Sequence, residues 1–204
     1  MWLNEMWQRW LGRSPRQSRR RATRQRPRFR PCLEVLEDRT LLSAYTASTA
    51  GELIADIAAA NSIPVGNTNT ITLLGNIQLS GSNNSTNGAN GLPVITAGDD
   101  LTILGGGYSI ERLTTATTPA FRLFDVESGA SLTLEDVTLQ GGLAQGTSAV
   151  PNSADGGAIY NSGTLTLTGV TLQGNEAQGS NGAAGNAITL SGSAGANAFG
   201  GGLY

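Results

Sequence analysis

Aliphatic residues alternate with threonine or another polar residue in short runs through most of the chain after residue 69. Such alternation places one side of an extended strand against a core and the other side toward water. The runs are only three to five residues long, and similar runs return after 22 to 33 residues. The pattern predicts short strands at residues 70–74, 77–79, 101–104, 121–124, 132–134, 137–139, 158–160, 165–167 and 170–172.

One of these segments occurs twice with almost the same sequence. Leu132–Gly141 and Leu165–Gly174 are identical at eight of ten positions. A β-sandwich could use short strands, but it would not require the same side chains at the same point of each period. A solenoid does, because each coil buries its apolar face only by stacking on its neighbours. We therefore predict that Leu101, Leu132 and Leu165 form one inward-facing column.

A helix is predicted ahead of the strands, at about residues 49–61. Thr49 and Glu52 have the spacing of a capping box, which marks a helix N-terminus. One apolar stripe follows, and it consists of Leu53, Ile54, Ile57 and Ala58. We expect this helix to cover the open end of the coil stack, which we place at about residues 70–204, because an exposed strand edge must be capped.

The other end of the stack has no comparable helix pattern. The sequence stops two residues after Gly200–Gly202, where the repeated segment begins again. We therefore expect either missing coils beyond Tyr204 or a partner that covers the last coil. Small-residue stretches at 143–155 and 180–199 are predicted to be loops. Gly141 and Gly174 stand at equivalent turns where positive φ is expected.

The charge is distributed very unevenly along the chain. Ten arginines lie within residues 1–30, whereas residues 45–204 contain eleven acidic residues and only two arginines, Arg112 and Arg122. We therefore divide the chain into a basic leader, 1–44, and a body, 45–204. The tryptophan-rich start of the leader suggests contact with an anionic membrane surface, or simply a solvated basic segment. The acidic body would repel nucleic acid, so no nucleic acid partner is expected.

Residues 30–44 resemble an N-terminal sorting motif of the LEPLEDR type, usually ending in R-x-LL, found on very large exported proteins of planctomycete bacteria. The matching residues are Leu33, Glu34, Leu36, Glu37, Asp38, Arg39, Leu41, Leu42 and Ser43, whereas Val35 replaces the usual proline. The resemblance implies export, and hence the export machinery as a partner of the leader. The sole cysteine, Cys32, lies in this leader, so the body has no disulfide framework.

Residues 47–204 resemble a right-handed parallel β-helix of the pectate-lyase-like superfamily. The segment GGAIYNSGTLTLTGVTLQGN, Gly156–Asn175, is similar to a bacterial surface repeat, and polymorphic outer membrane protein repeats share its GGAI element. The resemblance implies an all-β solenoid with an N-terminal capping helix, preceded by a disordered or partly helical basic leader. It also implies a secreted or cell-surface location.

The superfamily also includes polysaccharide lyases and hydrolases, which need acids stacked near one point. In our alignment of the coils, no two acids share a column: Asp99 and Asp100, for example, align with Ala130 and Ser131. The best remaining constellation consists of Arg122, Asp125 and Glu127, with Glu111 and Arg112 upstream. We interpret it as a solvated polar face, and we predict no catalytic residue.

No cofactor is predicted from the sequence either. Asp155 before Gly156-Gly157 resembles a calcium turn, but the nonapeptide calcium repeat is missing. Ca²⁺ therefore remains an open alternative and is not a predicted ligand. The sequence thus favours an exported structural or adhesive β-helix protein, with glycans or surface proteins as its partners. The alternative is the N-terminal part of a polysaccharide lyase or glycoside hydrolase.

Overall fold

A computed structural model describes residues 43–63, 68–146, 154–181 and 195–204. The leader and the sorting motif up to Leu42 lie outside these residues. One helix, α1, spans Ala50–Ala60. The strands follow in chain order: β1 (Ser43–Ala47), β2 (Thr68–Leu73), β3 (Ile77–Leu79), β4 (Asp100–Leu104), β5 (Ser109–Arg112), β6 (Phe124–Val126), β7 (Ser131–Glu135), β8 (Thr138–Gln140), β9 (Leu143–Gln145), β10 (Ala154–Asp155), β11 (Ile159–Asn161), β12 (Thr164–Thr168), β13 (Thr171–Gln173), β14 (Glu176–Gln178) and β15 (Ala198–Phe199).

The strands stack in parallel, coil upon coil, as the repeat predicts. The largest sheet has the order β1-β2-β4-β7-β12, and a second has the order β3-β5-β8-β13. Three smaller pairs complete the walls: β6 with β11, β9 with β14, and β10 with β15. The body is therefore an all-β parallel β-helix of about three turns, which confirms the predicted fold.

The inward column predicted from the repeat is confirmed. Leu101 lies opposite Leu132, and Leu132 lies opposite Leu165, in the register of β4, β7 and β12. At the first coil, however, Asn69 occupies this column opposite Leu101. Asn69 is buried, and its Nδ2 donates to Asp99 Oδ1 at 2.9 Å, so the amide replaces part of its lost hydration.

Helix α1 covers the N-terminal end of the described stack. Thr49 Oγ1 accepts from Glu52 N, and Glu52 Oε2 accepts from Thr49 N at 3.1 Å, which is the predicted capping box. Leu53, Ile57 and Ala60 are buried in the core, whereas Ala58, which we placed in the apolar stripe, is exposed. The buried positions follow the i, i+4, i+7 spacing of one helix face.

Several strands were not predicted, and most of them are short. β9 and β10 lie at the ends of the expected loop 143–155, and β15 lies within the expected loop 180–199, so these loop predictions were wrong at those residues. β1 starts at Ser43, the last residue of the sorting motif. These strands have weak patterns of their own and form because a neighbouring coil offers backbone partners.

The turns between strands use left-handed residues at repeated places. Gly141 and Gly174 have φ of 69° and 58°, as their alignment predicts. The next residue after Gly174 is Asn175, whose Oδ1 accepts from Gly142 N at 2.9 Å and whose Nδ2 donates to Leu139 O at 2.9 Å. One side chain thus ties two coils together at the turn.

Candidate functional site

The candidate site is built where two consecutive coils meet at the start of β6. Residues 83–90 of the preceding coil lie beside Arg122, since Arg122 N donates to Ala89 O at 3.0 Å and Gly91 N donates to Arg122 O at 2.7 Å. At Gly88, φ is 115° and an added Cβ would lie 2.6 Å from Arg122 Nη2. Any side chain at residue 88 would displace the guanidinium, so only glycine fits the close contact between these two residues.

Arg122 is buried in the wall of the solenoid, with 3% of its surface exposed. Nη2 donates to Asn87 O at 2.8 Å, and the guanidinium lies 5.0 Å from the centroid of the Tyr160 ring. Within the described part of the chain, Nε and Nη1 have no hydrogen-bond acceptor. Burial lowers the pKa of Arg122, and the negative charges of Asp125 and Asp155 oppose that shift.

Asp125 lies three residues further on and is fully buried. Its Oδ2 accepts from Asn87 Nδ2 and from Asn90 Nδ2, each at 3.2 Å. Burial is the largest influence on this carboxyl and raises its pKa, while the two amides and Arg122 act in the opposite direction. The carboxylate is thus held by amides rather than by a direct ion pair, and it supports the segment that faces Arg122.

Arg112, the other arginine of the described residues, is held quite differently. Its Nε donates to Gly141 O at 2.7 Å, and its Nη1 donates to Pro119 O at 3.2 Å. Backbone carbonyls therefore satisfy this guanidinium, which ties a turn to the wall. Buried polar groups normally have partners, so the two nitrogens of Arg122 are exceptions among the described residues, as are single buried oxygens of Asp56, Asn69, Asn90 and Asp99.

A cavity of about 410 Å³ lies beside Arg122. Its other walls come from two neighbouring coils: Ser85, Asn87, Gly88, Ala89, Ala120, Leu143, Ala144, Gln145, Gly146 and Ala154. Hydroxyl, amide and guanidinium groups alternate with small apolar side chains in this lining. Such a mixture of a few polar groups on an apolar wall is typical of small-molecule sites.

The sequence found these residues but misjudged their environment. We interpreted Arg122, Asp125 and Glu127 as a solvated face, yet Arg122 and Asp125 are buried and only Glu127 is partly exposed. The signal was present in the run Phe121–Val126, which is apolar except for these two charges. Its apolar residues stand at both odd and even positions, which is typical of a segment buried on both faces.

The strand register also tests whether carboxylates stack. Asp100 lies opposite Ser131, Glu135 lies opposite Leu104 and Thr168, and Asp125 lies opposite Tyr160. Among the paired strands of the described residues, no two acids are register partners. The described residues also contain no group of three or more acidic, histidine or cysteine side chains placed to hold a metal ion.

The outer face of the largest sheet carries a second regular feature. Thr70, Thr102, Thr133 and Thr166 are register partners in four consecutive strands. They alternate with the buried column and lie on the opposite side of the sheet. With about 4.8 Å between neighbouring strands, their hydroxyls form an evenly spaced row on the surface.

Comparison with known proteins adds no relative: no family model, no curated protein and no solved structure matches the chain. Within the described ranges, no helix has the length and apolar character needed to cross a membrane.

Proposed function

We propose that this chain is an exported cell-surface or extracellular protein whose β-helix has a structural or adhesive role. The observation that carries the proposal is the row of four threonines in register, Thr70, Thr102, Thr133 and Thr166, on the outer face of the largest sheet. A stack of parallel coils holds the backbones of these threonines at fixed spacing, so a polar partner with repeated groups meets them at a low cost for ordering side chains.

The composition of this face supports glycans or surface proteins as partners. Hydroxyl groups both donate and accept hydrogen bonds, as sugar hydroxyls do, and short threonine side chains lose little freedom on binding. Each single contact is weak, but several contacts along one rigid row act together through a high effective concentration.

The leader supports the exported location. Residues 30–44 resemble a sorting motif, and they stand between a basic segment and the solenoid. The alternative function, the opening part of a polysaccharide lyase or glycoside hydrolase, requires stacked carboxylates. The acids of the described paired strands face other residue types across the register, which favours the adhesive role.

Two measurements test the proposal. Protease treatment of intact cells should degrade the body of the native protein, whereas a variant with Leu41, Leu42 and Arg39 changed to alanine should stay protected inside. Protection of the native protein would overturn the surface location.

Adhesion is tested by cosedimentation of the purified protein with insoluble envelope polysaccharide from the same cells. Thr133→Glu places a charge in the middle of the threonine row and should abolish sedimentation. Thr138→Glu is the matched control, because Thr138 lies on the same coil but on the next sheet. Equal binding by both variants would exclude the threonine row as the adhesive face.

A further inference from the structure

We infer that an open groove at one corner of the solenoid binds an amino sugar unit through its protonated amino group. The groove has a volume of about 540 Å³ and lies where the largest sheet turns into the second sheet, across consecutive coils. It shares no lining residue with the cavity beside Arg122. The inference rests on the glycan-binding part of the proposed function and goes further by naming the kind of sugar.

The repeated segment itself marks this corner. Its two copies differ at only two of their ten positions, and both differences lie here. Glu135 stands in place of Thr168, and Asp136 stands in place of Gly169. Asp136 lines the groove and is exposed. The middle coil therefore carries an accessible carboxylate that the repeat does not require.

The backbone of Asp136 has a conformation that suits glycine. Its φ is 48°, and it is the one non-glycine residue of the described chain with a positive φ. The register of β5, β8 and β13 places it between Gly107 and Gly169, whose φ values are 86° and 64°. A left-handed backbone costs free energy for a residue with a Cβ, although less for aspartate than for most residues. An aspartate where both neighbouring coils have glycine points to a role of its side chain.

The surrounding glycines leave this carboxylate open to a ligand. A Cβ added at Gly169 would overlap Asp136 Oδ1, so only glycine leaves room for the carboxylate on that side. Gly106 and Gly107 line the groove on the other side and add no side chain of their own. A ligand therefore reaches the carboxylate from solvent without displacing another side chain.

Hydroxyl groups and an aromatic ring complete the surroundings. Thr138 and Thr171 line the groove as register partners on strands about 4.8 Å apart. Tyr108 is 38% exposed, and its Cδ2 lies 3.9 Å from the position that a Cβ of Gly106 would take, so the ring lies beside the groove. The hydroxyls pair with those of a sugar, and a tyrosine ring offers an apolar contact surface to the sugar ring.

The charge of the groove favours a cationic ligand. Its lining contains a carboxylate and no positively charged side chain. The two arginines of the described residues donate to backbone carbonyls elsewhere, Arg112 to Gly141 and Arg122 to Asn87. A protonated amine is attracted both by a carboxylate and by the face of a tyrosine ring, whereas a uronate is repelled by the carboxylate. An amino sugar combines the ammonium group with the hydroxyls that the threonines bind.

The test is saturation-transfer NMR on the full chain, in a buffer in which the amine of glucosamine is protonated. Glucose and N-acetylglucosamine are the neutral counterparts, and glucuronate is the anionic one. We expect glucosamine to bind roughly two- to fivefold more tightly than the neutral sugars, as an exposed ion pair provides. Added salt should reduce this preference. Equal binding of glucosamine and glucose, strongest binding of glucuronate, or no binding at all would overturn the inference.

A charge variant locates the preference. Asp136→Asn keeps the size of the side chain and tolerates the left-handed backbone, so it should bind glucosamine and glucose equally. Glu111→Gln is the matched control, because its register partners Gln78 and Gln140 are already glutamine and it lies outside the lining. It should keep the preference for glucosamine. A preference that survives Asp136→Asn would overturn the inference.

A glycine variant separates binding from stability. Asp136→Gly should lose the preference for glucosamine, while its melting temperature should stay level or rise, because glycine suits a left-handed backbone. A clear fall of the melting temperature would show that the carboxylate stabilises the turn itself, and it would contradict the role in binding.

A bulky variant tests the place of binding. Thr171→Trp fills the groove from an exposed position, and Gln173→Trp is its matched control on the same face of β13 outside the lining. We expect Thr171→Trp to lose the glucosamine signal and Gln173→Trp to keep it. Binding that survives Thr171→Trp would place the ligand elsewhere.

The sedimentation test distinguishes failure of this inference from failure of the adhesive role. Thr138→Glu leaves the threonine row intact and adds a second carboxylate to the groove, so it should sediment and keep its preference for glucosamine. If the native protein sediments with envelope polysaccharide but shows no preference for glucosamine, the inference alone fails. If it neither sediments nor binds any sugar, the adhesive role fails as well.

Discussion

Two segments with nearly the same sequence have very different surroundings in this molecule. In the strands β7 and β8, Leu132, Leu134 and Leu139 are fully buried. Their counterparts in β12 and β13 are Leu165, which is partly buried, and Leu167 and Leu172, which are 36% and 39% exposed. The difference comes from stacking: the first segment has a coil on each side, whereas the second has its sheet neighbour on one side.

The comparison teaches that in a solenoid the burial of a residue depends on its neighbours rather than on its own coil. Identical leucines contribute fully to the core in one coil and only partly in the next. The two ends of the described stack differ in the same way, because α1 packs Leu53 and Ile57 over the first coils. The expected outcomes below begin with the largest effect.

An aspartate in the inward leucine column gives the strongest test of the difference in burial between the two segments. Leu132→Asp buries an unpaired carboxylate between two coils and should prevent folding, since an isolated buried charge costs many times the free energy of one contact. Leu165→Asp should lower the melting temperature only moderately, because Leu165 is partly exposed. Thermal unfolding followed by circular dichroism measures both.

Thr133→Asp serves as the control for that pair of variants. Thr133 follows Leu132 in sequence, but its side chain lies on the outer face of the sheet. The melting temperature of Thr133→Asp should therefore stay close to that of the native protein. Equal destabilisation by Leu132→Asp and Thr133→Asp would contradict the assignment of the two faces.

Shortening the same leucines to alanine measures the difference in burial without adding a charge. Leu132→Ala should reduce the free energy of unfolding by about 3 kcal/mol, as buried leucines do. Leu165→Ala should cost about 1 kcal/mol, because part of that side chain already contacts water. Urea titration of both variants gives the two values, and an equal cost would mean that the last coil is covered in solution.

The N-terminal end of the stack, which α1 covers, is tested with substitutions of Thr49, the N-cap residue of that helix. Thr49→Ala removes the side-chain acceptor of Glu52 N and should cost about 1 kcal/mol. Thr49→Ser keeps the oxygen and should be close to neutral. If urea titration shows no difference between the two variants, the capping box does not stabilise the end that we describe as covered.

The smallest effect is a pH dependence of that cap. Hydrogen bonds from Ser48, and then from Thr49, hold the pKa of Glu52 below its usual value of 4.5. A lowered pKa means that ionised Glu52 stabilises the folded state at neutral pH and that this contribution fades as pH falls below 4.5. The melting temperature of Glu52→Gln should therefore approach that of the native protein on acidification.

Asp99 and Asp125 act in the opposite direction, because burial raises the pKa of each. Their protonation on acidification favours the folded state, so the total pH profile mixes both signs. The difference between Glu52→Gln and the native protein at each pH cancels the contributions of Asp99 and Asp125 and leaves those of Glu52, which are its hydrogen bonds in the cap and the charge that, after burial, raises the pKa of Asp56. A difference that is constant from neutral pH to pH well below 4.5 would contradict the role of Glu52.

Particular residues show how far the sequence predicts the site. Arg122 and Asp125 were recognised as a constellation, but their burial was missed because charged residues are mostly exposed in proteins. The residues that complete the cavity, Ser85 and Asn87, carry no pattern in the sequence. They line the same cavity as Arg122 only because residues 83–90 of one coil lie beside Arg122 of the next.

The sequence by itself determined the parallel stack, the inward column of Leu101, Leu132 and Leu165, and the capping box at Thr49. These features depend on local periodicity and on a repeat, which are written along the chain. Only the tertiary structure decided the depth of each leucine and the burial of Arg122, and only it brought the cavity walls together. The reason is that stacking places residues about one coil apart in direct contact, and no local pattern encodes which neighbour covers them.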